Sequence, residues 1–316
     1  MTRSEGASNE RAWTTALGLA LGPAVAIGLA RFAYGLLLPG MRSDLSWSFA
    51  QAGAMNTANA IGYLLGALVA APLVVRIGVR RAFTVSLVLT AVALLGCAPF
   101  DAFVVLLVLR LVAGVTGAVT FVVGATLAAQ VAGGGSHSRA AVVLGVYFAG
   151  GGLGVAISGL VIPPLLAGTG AGGWRWGWVA LAALAFAATA AAVPAAHRVS
   201  LPARRSSGAS RAWRPGPIGV TMGAYALFGA GYIAYVTFIV AFLEGEGAAA
   251  GEISAFWIVL GLAAVGSSFA WGPVLGRLRG GRGIALALGA VAIGALLPLL
   301  SDAGAATFGS AVLFGG

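Results

Sequence analysis

Long apolar segments dominate this chain and restrict the folds that it can adopt. An α-helix needs about 20 apolar residues to cross the hydrocarbon core of a bilayer, and nine stretches of roughly that length are almost free of charge. These predicted spans cover residues 13–38, 49–74, 82–99, 102–128, 140–165, 176–196, 216–243, 253–276 and 283–300. We therefore expect an all-α membrane protein that crosses the bilayer many times.

A tenth apolar stretch runs from Ala303 to Gly316 and is too short to cross. One interpretation is a half-helix that packs against the other spans. The interpretation that we favour is the first part of a span, with twelve spans in a longer intact protein.

Composition excludes several other classes of protein. Hydrophobic residues make up 60% of the chain and charged residues only 8%, whereas a soluble domain has about 25% charged residues. Lipid must therefore solvate much of the surface. The net charge of +10 does not indicate nucleic-acid binding, because the arginines lie in short, separated loops. The single cysteine, Cys97, lies in an apolar run, so we expect neither a disulfide framework nor a thiolate metal site.

Arginine is unequally divided between the two alternating sets of loops. One set contains 14 arginines and two acids; it comprises the N-terminus and residues 76–81, 133–139, 197–214 and 277–282. The other set contains Arg42, Arg175 and the remaining six acids. Because basic loops remain in the cytoplasm, we predict a multi-pass protein of the cell inner membrane with a cytoplasmic N-terminus.

The same pattern divides the chain into four parts: a cytoplasmic tail (1–12), a six-helix bundle (13–196), a basic cytoplasmic linker (197–215) and a second, incomplete bundle (216–316). A shift of 201 residues places Ala30–Tyr34 on Gly231–Tyr235 and Arg76 on Arg277. This weak internal repeat, in register with the spans, favours six helices followed by a second set of six.

Two parallel six-helix halves joined by a basic loop are the plan of major facilitator transporters, and local motifs resemble that superfamily. The loop between spans two and three, Ala71–Arg81, resembles the Gly-x3-Asp-Arg-x-Gly-Arg-Arg signature without its first glycine and its aspartate. The resemblance implies a gating loop, for which the candidate residues are Arg76, Gly78, Arg80 and Arg81, with Arg277 at the repeat position. The missing acid means that the usual latch of the family lacks one partner here.

Three further segments carry the resemblance. Span four contains Leu106-x3-Arg110-x3-Gly114-x2-Gly117-Ala118, and span five contains a glycine-rich motif around Gly150–Gly154. The stretch Gly28–Pro39, in the second half of the first span, is similar to the opening helix of the YbfB-like branch. The resemblance implies a major-facilitator-type bundle and a secondary active transporter that works by alternating access. It also implies no cofactor, a monomer, membrane lipid as surroundings, and protons as a candidate co-substrate.

Two arginines inside spans are the main candidates for substrate binding. Arg31 lies about 12 Å and Arg110 about 13 Å inward from the outer ends of spans one and four. An arginine in a membrane helix costs several kcal/mol unless it faces a cavity or a partner, and no acid lies within a predicted span. An anionic substrate group would suit the bidentate fork of arginine. The alternatives are a structural role for Arg31, and gating or coupling for Arg110.

Polar side chains in spans one, two and seven are further candidates: Tyr34, Asn56, Asn59, Tyr232 and Tyr235. Tyrosine combines an apolar face with a hydroxyl group, and an amide in lipid must find a partner. Packing between helices is the alternative for each. Spans three, six and nine are nearly all small or aliphatic, so the resemblance implies that they are peripheral while the polar spans line a central cavity.

We expect a transporter of a small organic anion. An exporter of multiple drug-like compounds is the alternative within the same fold; its cavity should be broad and apolar. An intramembrane enzyme is disfavoured because His137 and His197 lie in loops and no cluster of catalytic groups lies within the spans. A membrane receptor without transport activity is also disfavoured.

Overall fold

The computed structural model describes residues 3–133, 137–170, 172–200, 219–278, 281–300 and 304–316, which are helical almost throughout. The helices are α1 (Arg3–Pro23), a π-helical segment (Ala24–Phe32), α2 (Tyr34–Asp44), α3 (Phe49–Ile77), α4 (Val79–Gly96), α5 (Phe103–Ala132), α6 (His137–Thr169), α7 (Gly173–Arg198), α8 (Gly219–Gly245), α9 (Ala250–Arg277), α10 (Arg282–Leu300) and α11 (Gly304–Gly315). We call α1–α7 the first half and α8–α11 the second half.

The all-α membrane fold is confirmed. Within the described ranges, 9 helical stretches are long and apolar enough to cross a membrane, and they coincide with the nine predicted spans. The ends differ by several residues; α6, for example, covers His137–Thr169 where 140–165 was predicted. The short tenth stretch forms the 12-residue helix α11. Most of the predicted linker, 197–215, lies outside the described residues.

The first span is interrupted by nine residues of π-helix. Pro23 precedes this segment, and its missing N–H group prevents the α-helical bond at that turn. The wider turns continue to Ala33, whose N–H group donates to Gly28 O at 3.0 Å, five residues earlier. Gly28 lies so close to Gly154 of α6 that a Cβ atom there would overlap that backbone. Since π-helical turns are rare and are frequent at functional sites, this segment marks a candidate site.

Contacts between loops define two ends of the bundle. At one end, Arg175 at the start of α7 pairs with Asp101 (Nη1 to Oδ1, 2.6 Å) and Asp44 (Nη2 to Oδ2, 3.6 Å). Trp174 Nε1 also donates to Asp44 Oδ2 at 2.8 Å. We call this the acidic end. At the opposite, arginine-rich end, Arg80 near the start of α4 donates to the carbonyl oxygen of Val199, just beyond α7.

Helices α6 and α9 form a close seam between the two halves. Gly145, Gly152 and Gly159 recur every seven residues along α6 and face α9. Small residues allow two membrane helices to approach closely. Towards the acidic end the seam is also hydrogen-bonded, because Ser254 Oγ donates to Gly159 O at 2.6 Å. The halves are therefore held together along α6 and α9.

Candidate functional site: an arginine between the two halves

Arg31 lies in the last turn of the π-helical segment and is half-buried. Its guanidinium carbon is 5.0 Å from the ring centroid of Tyr63 in α3 and 5.8 Å from that of Tyr232 in α8. These are cation–π distances. Arg31 thus lies between the two halves. Among the described residues, the carboxylates within ion-pair distance of an arginine are those of Asp44 and Asp101, and both pair with Arg175.

Arg110 occupies a different environment, inside the first half. It is 1% exposed, and its Nη1 donates to Ala30 O at 2.6 Å. Its guanidinium carbon lies 5.1 Å from the ring centroid of Tyr34 and 5.3 Å from that of Trp178. Its Nε and Nη2 atoms find no acceptor among the described residues. A carbonyl oxygen and two ring faces therefore stabilise this buried charge without an acid.

The two guanidinium groups contact different parts of the structure. Arg110 bonds the carbonyl of Ala30, the residue directly before Arg31, while Arg31 contacts different rings. The structure therefore does not show both arginines facing one ligand position.

The two amide candidates in α3 form contacts between helices. Asn56 Nδ2 donates to Thr237 Oγ1 of α8 at 2.6 Å, which joins the two halves. Asn59 Nδ2 donates to Arg110 O of α5 at 3.1 Å. The Oδ1 atoms of both amides are buried and lack a hydrogen-bond donor within the described part of the chain.

The three tyrosine candidates lie in different environments. Tyr34 is fully buried, donates its hydroxyl to Ala52 O at 2.6 Å, and stacks on Trp178. Tyr235 shares a 2.5 Å hydrogen bond with Ser310 and stacks on Phe314 at 3.8 Å between centroids. Of the three tyrosines, Tyr232 is the one whose ring faces Arg31.

A cavity of ≈ 280 Å³ adjoins Tyr232 between the halves. It is lined by Ile27, Phe32, Phe121, Phe148, Gly151, Gly152, Val155, Tyr232, Leu260, Ala264, Phe314 and Gly315. Sequence reasoning missed its phenylalanines as well as Tyr63 and Trp178. One signal in the sequence could have indicated Phe121. It follows Arg110 by eleven residues, close to three helical turns, so the two side chains project from the same face of α5.

The predicted gating loop lies at the arginine-rich end. Gly78 joins α3 to α4 with a φ of 86°, in the left-handed region that favours glycine. Arg80 bonds Val199 O, whereas Arg76, Arg81 and Arg277 are exposed. Their role in gating stays a prediction.

Comparisons with known proteins agree with this architecture. Residues 23–316 match the family model for the uncharacterised MFS-type transporter YbfB. No curated protein sequence gives a significant match.

Similar solved structures are transporters that share the fold at low identity. A bacterial homologue of the human lysosomal transporter Spinster, inward-facing and unoccupied, has a TM-score of 0.70 and 16% identity over 96% of this chain and 74% of its own. A variant of the nucleoside transporter NupG has a TM-score of 0.69 and 14% identity, covering 95% of this chain and 79% of its own. The D-xylose-proton symporter has a TM-score of 0.63 and 13% identity, covering 96% and 78% respectively.

Proposed function

The chain belongs to the YbfB-type family of major facilitator transporters, and from this premise we propose that it is a secondary active transporter of a small organic anion. The observation that carries the proposal is Arg31. It lies half-buried in the π-helical segment and contacts one ring from each half. No carboxylate of the described residues pairs with it.

An anionic substrate would supply the missing partner. The planar guanidinium fork binds a carboxylate through two parallel hydrogen bonds and remains charged at every physiological pH. Because Tyr63 and Tyr232 contact it from opposite halves, a ligand on Arg31 would contact both halves at once. That position suits a site that changes access as the halves move.

The contacts between the halves support alternating access. Between Arg31 and the acidic end, the Asn56–Thr237 hydrogen bond joins α3 to α8, and the rings of Phe49 and Phe238 pack 6.0 Å apart. These contacts would have to break before a ligand could leave towards the acidic end. The structure therefore favours exchange of ligand at the arginine-rich end.

We assign the arginine-rich end to the cytoplasm. Its loops carry 14 of the 18 arginines of the chain, and basic loops remain on the cytoplasmic side of the inner membrane. The N-terminus would then be cytoplasmic, and the site at Arg31 would exchange ligand with the cytoplasm in this conformation. Protons are the candidate co-substrate, and we expect no catalytic activity and a functional monomer.

The test is uptake by proteoliposomes of purified protein. Labelled succinate, lactate and benzenesulfonate are compared with neutral xylose and cationic tetraphenylphosphonium, with and without an imposed pH gradient. We expect uptake of at least one anion, which Arg31→Ala abolishes and Arg31→Lys impairs, because an ammonium group cannot reproduce the fork. Arg282→Ala is the control, since Arg282 is an exposed arginine at the start of α10.

Export of drug-like compounds is the second candidate, favoured by the apolar lining of the ≈ 280 Å³ cavity. It predicts transport of neutral or cationic compounds at rates that Arg31→Ala leaves unchanged. That result would overturn the proposal of an anionic substrate.

A further inference from the structure

The cavity lined by Tyr232, whose ring Arg31 contacts, specifies more than the charge of the ligand. Resting on the anion-binding role proposed for Arg31, we infer that the transported anion has an apolar ring body, as in arene or cycloalkane carboxylates and sulfonates. A hydroxylated body, as in sugar acids or nucleotides, does not fit this cavity.

The lining residues offer almost no hydrogen bonds to a ligand body. Of the twelve residues that line the cavity, Tyr232 is the one with a polar side-chain group. The backbone of most of the others lies within helices, where it is already hydrogen-bonded; the carbonyls of Phe314 and Gly315, in the last turn of α11, are the exception. A hydroxyl group buried without a partner costs far more than a buried CH group. The lining therefore rejects sugar-like bodies and accepts hydrocarbon ones.

Aromatic rings form two walls of the cavity. On one side, Tyr232 stacks on Phe314 with centroids 5.6 Å apart and planes at 10°, and Phe32 meets Tyr232 edge-on at 5.5 Å. On the other side, Phe121 and Phe148 pack 5.6 Å apart. Ring faces and edges at such distances favour another ring through offset or edge-to-face contacts.

Glycines leave room along α6 for such a ring. Gly151 and Gly152 contribute no side chain to the lining, and a Cβ atom at Gly151 would lie 3.5 Å from Ile27. A volume of ≈ 280 Å³ is just below the range of about 300–1,000 Å³ typical of drug-sized sites. The cavity therefore suits a body of one or two rings.

Arg31 is placed to bind the charged end of this ligand. Its guanidinium group lies over Tyr232, which also lines the cavity. Its second ring contact, Tyr63, packs 6.3 Å from Phe121 of the opposite wall. An anion whose ring occupies the cavity would thus direct its carboxylate or sulfonate towards Arg31.

The experiment measures binding of labelled benzenesulfonate to purified protein in nanodiscs, because a sulfonate is permanently ionised. Benzoate, cyclohexanecarboxylate, lactate, gluconate and neutral benzyl alcohol are the competitors. We expect benzoate and cyclohexanecarboxylate to compete, and lactate, gluconate and benzyl alcohol to fail. Arg31→Ala should weaken binding by at least about 30-fold.

Ring substitutions test the walls. Phe148→Leu keeps an apolar side chain and should weaken benzenesulfonate binding about 2–10-fold, while Gly151→Val should fill the cavity and abolish binding. Phe186→Leu is the matched control, because Phe186 is an exposed ring of α7 outside the lining. The melting temperature of each variant shows that it is folded.

The outcomes separate the two proposals. If lactate or gluconate binds through Arg31 and benzenesulfonate does not, the ring body is wrong and the anion transporter stands. If benzyl alcohol competes as well as benzoate and Arg31→Ala binds normally, the anionic substrate is wrong too. If no anion of the panel binds to folded protein, both proposals fail.

Discussion

Replacing Gly150 of α6 with alanine should destabilise the protein by forcing α6 away from the first span. A Cβ atom at Gly150 would overlap the backbone carbonyl of Ala20 in α1, and one at Gly154 would overlap Ala24 in the π-helical segment. Backbone atoms cannot rotate aside as a side chain can, so the two helices must separate. The position of the π-helical segment, and with it that of Arg31, depends on these two glycines.

The size of the effect follows from two opposing terms. Overpacking of a tight interface costs about 1–3 kcal/mol, whereas alanine is favoured over glycine within a helix by about 1 kcal/mol. We therefore expect Gly150→Ala and Gly154→Ala each to destabilise the protein by up to about 2 kcal/mol. A Cβ atom at Gly168, in the last turn of the same helix, would meet no other atom within 4 Å. Gly168→Ala should therefore be neutral or stabilising by up to about 1 kcal/mol.

The assay is thermal unfolding of purified variants in detergent, followed by tryptophan fluorescence. About 1 kcal/mol lowers the melting temperature by roughly 2–4 °C in a large domain, so the Gly150 and Gly154 variants should melt several degrees below Gly168→Ala. Equal melting temperatures for all three variants would refute the close packing of α6 on the first span.

Three further predictions concern other parts of the structure. Arg175→Ala should destabilise the acidic end by about 1 kcal/mol, more than Asp101→Asn does, because Arg175 pairs with both Asp44 and Asp101. Equal melting temperatures for the two variants would argue against pairing of Arg175 with both carboxylates. Thr237→Val should remove the hydrogen bond to Asn56 between the halves. A cysteine introduced at Val240, which lines a pocket near the acidic end, should then be labelled faster by thiol reagents. Unchanged labelling would show that the hydrogen bond does not hold that end closed. A cysteine introduced at Gly247 should react with membrane-impermeant thiol reagents from outside intact cells, whereas one at Gly208 should react only after permeabilisation. The background should be low because the native Cys97 is buried. Reaction of both cysteines from the same side would contradict the cytoplasmic orientation of the N-terminus.

The spans were predictable from sequence, whereas their exact ends and the interior of the first span were not. Hydropathy locates a membrane helix because its residues must be apolar across the full hydrocarbon core. It does not detect helical turns beyond that core, such as those of α6 near His137 and Thr169. The π-helical segment consists of small and apolar residues with one arginine, as ordinary membrane helices can, and Pro23 before it is a weak signal because α3, α6 and α10 also contain proline.

The candidate site was predictable in part. Arg31 stands out in the sequence because a charge within a span must find a partner. Tyr232 was a candidate because the 201-residue repeat aligns it with Arg31. The surroundings of Arg110 did not follow from the sequence: Trp178 comes from α7, a helix expected to be peripheral, and contacts Arg110 through packing between distant segments. The aromatic cavity was missed for the same reason, since Phe32, Phe121 and Phe148 lie on three different elements and each alone resembles a lipid-facing residue.

The most direct test of the central claim, alternating access at Arg31, is exchange across a closed membrane. Proteoliposomes are preloaded with unlabelled benzenesulfonate and diluted into a trace of the labelled compound, so that accumulation of label reports exchange through a site that opens to each side in turn. We predict transient accumulation by the unaltered protein and by Arg282→Ala, and none by Arg31→Ala. Accumulation by folded Arg31→Ala at the rate of the unaltered protein would contradict the account.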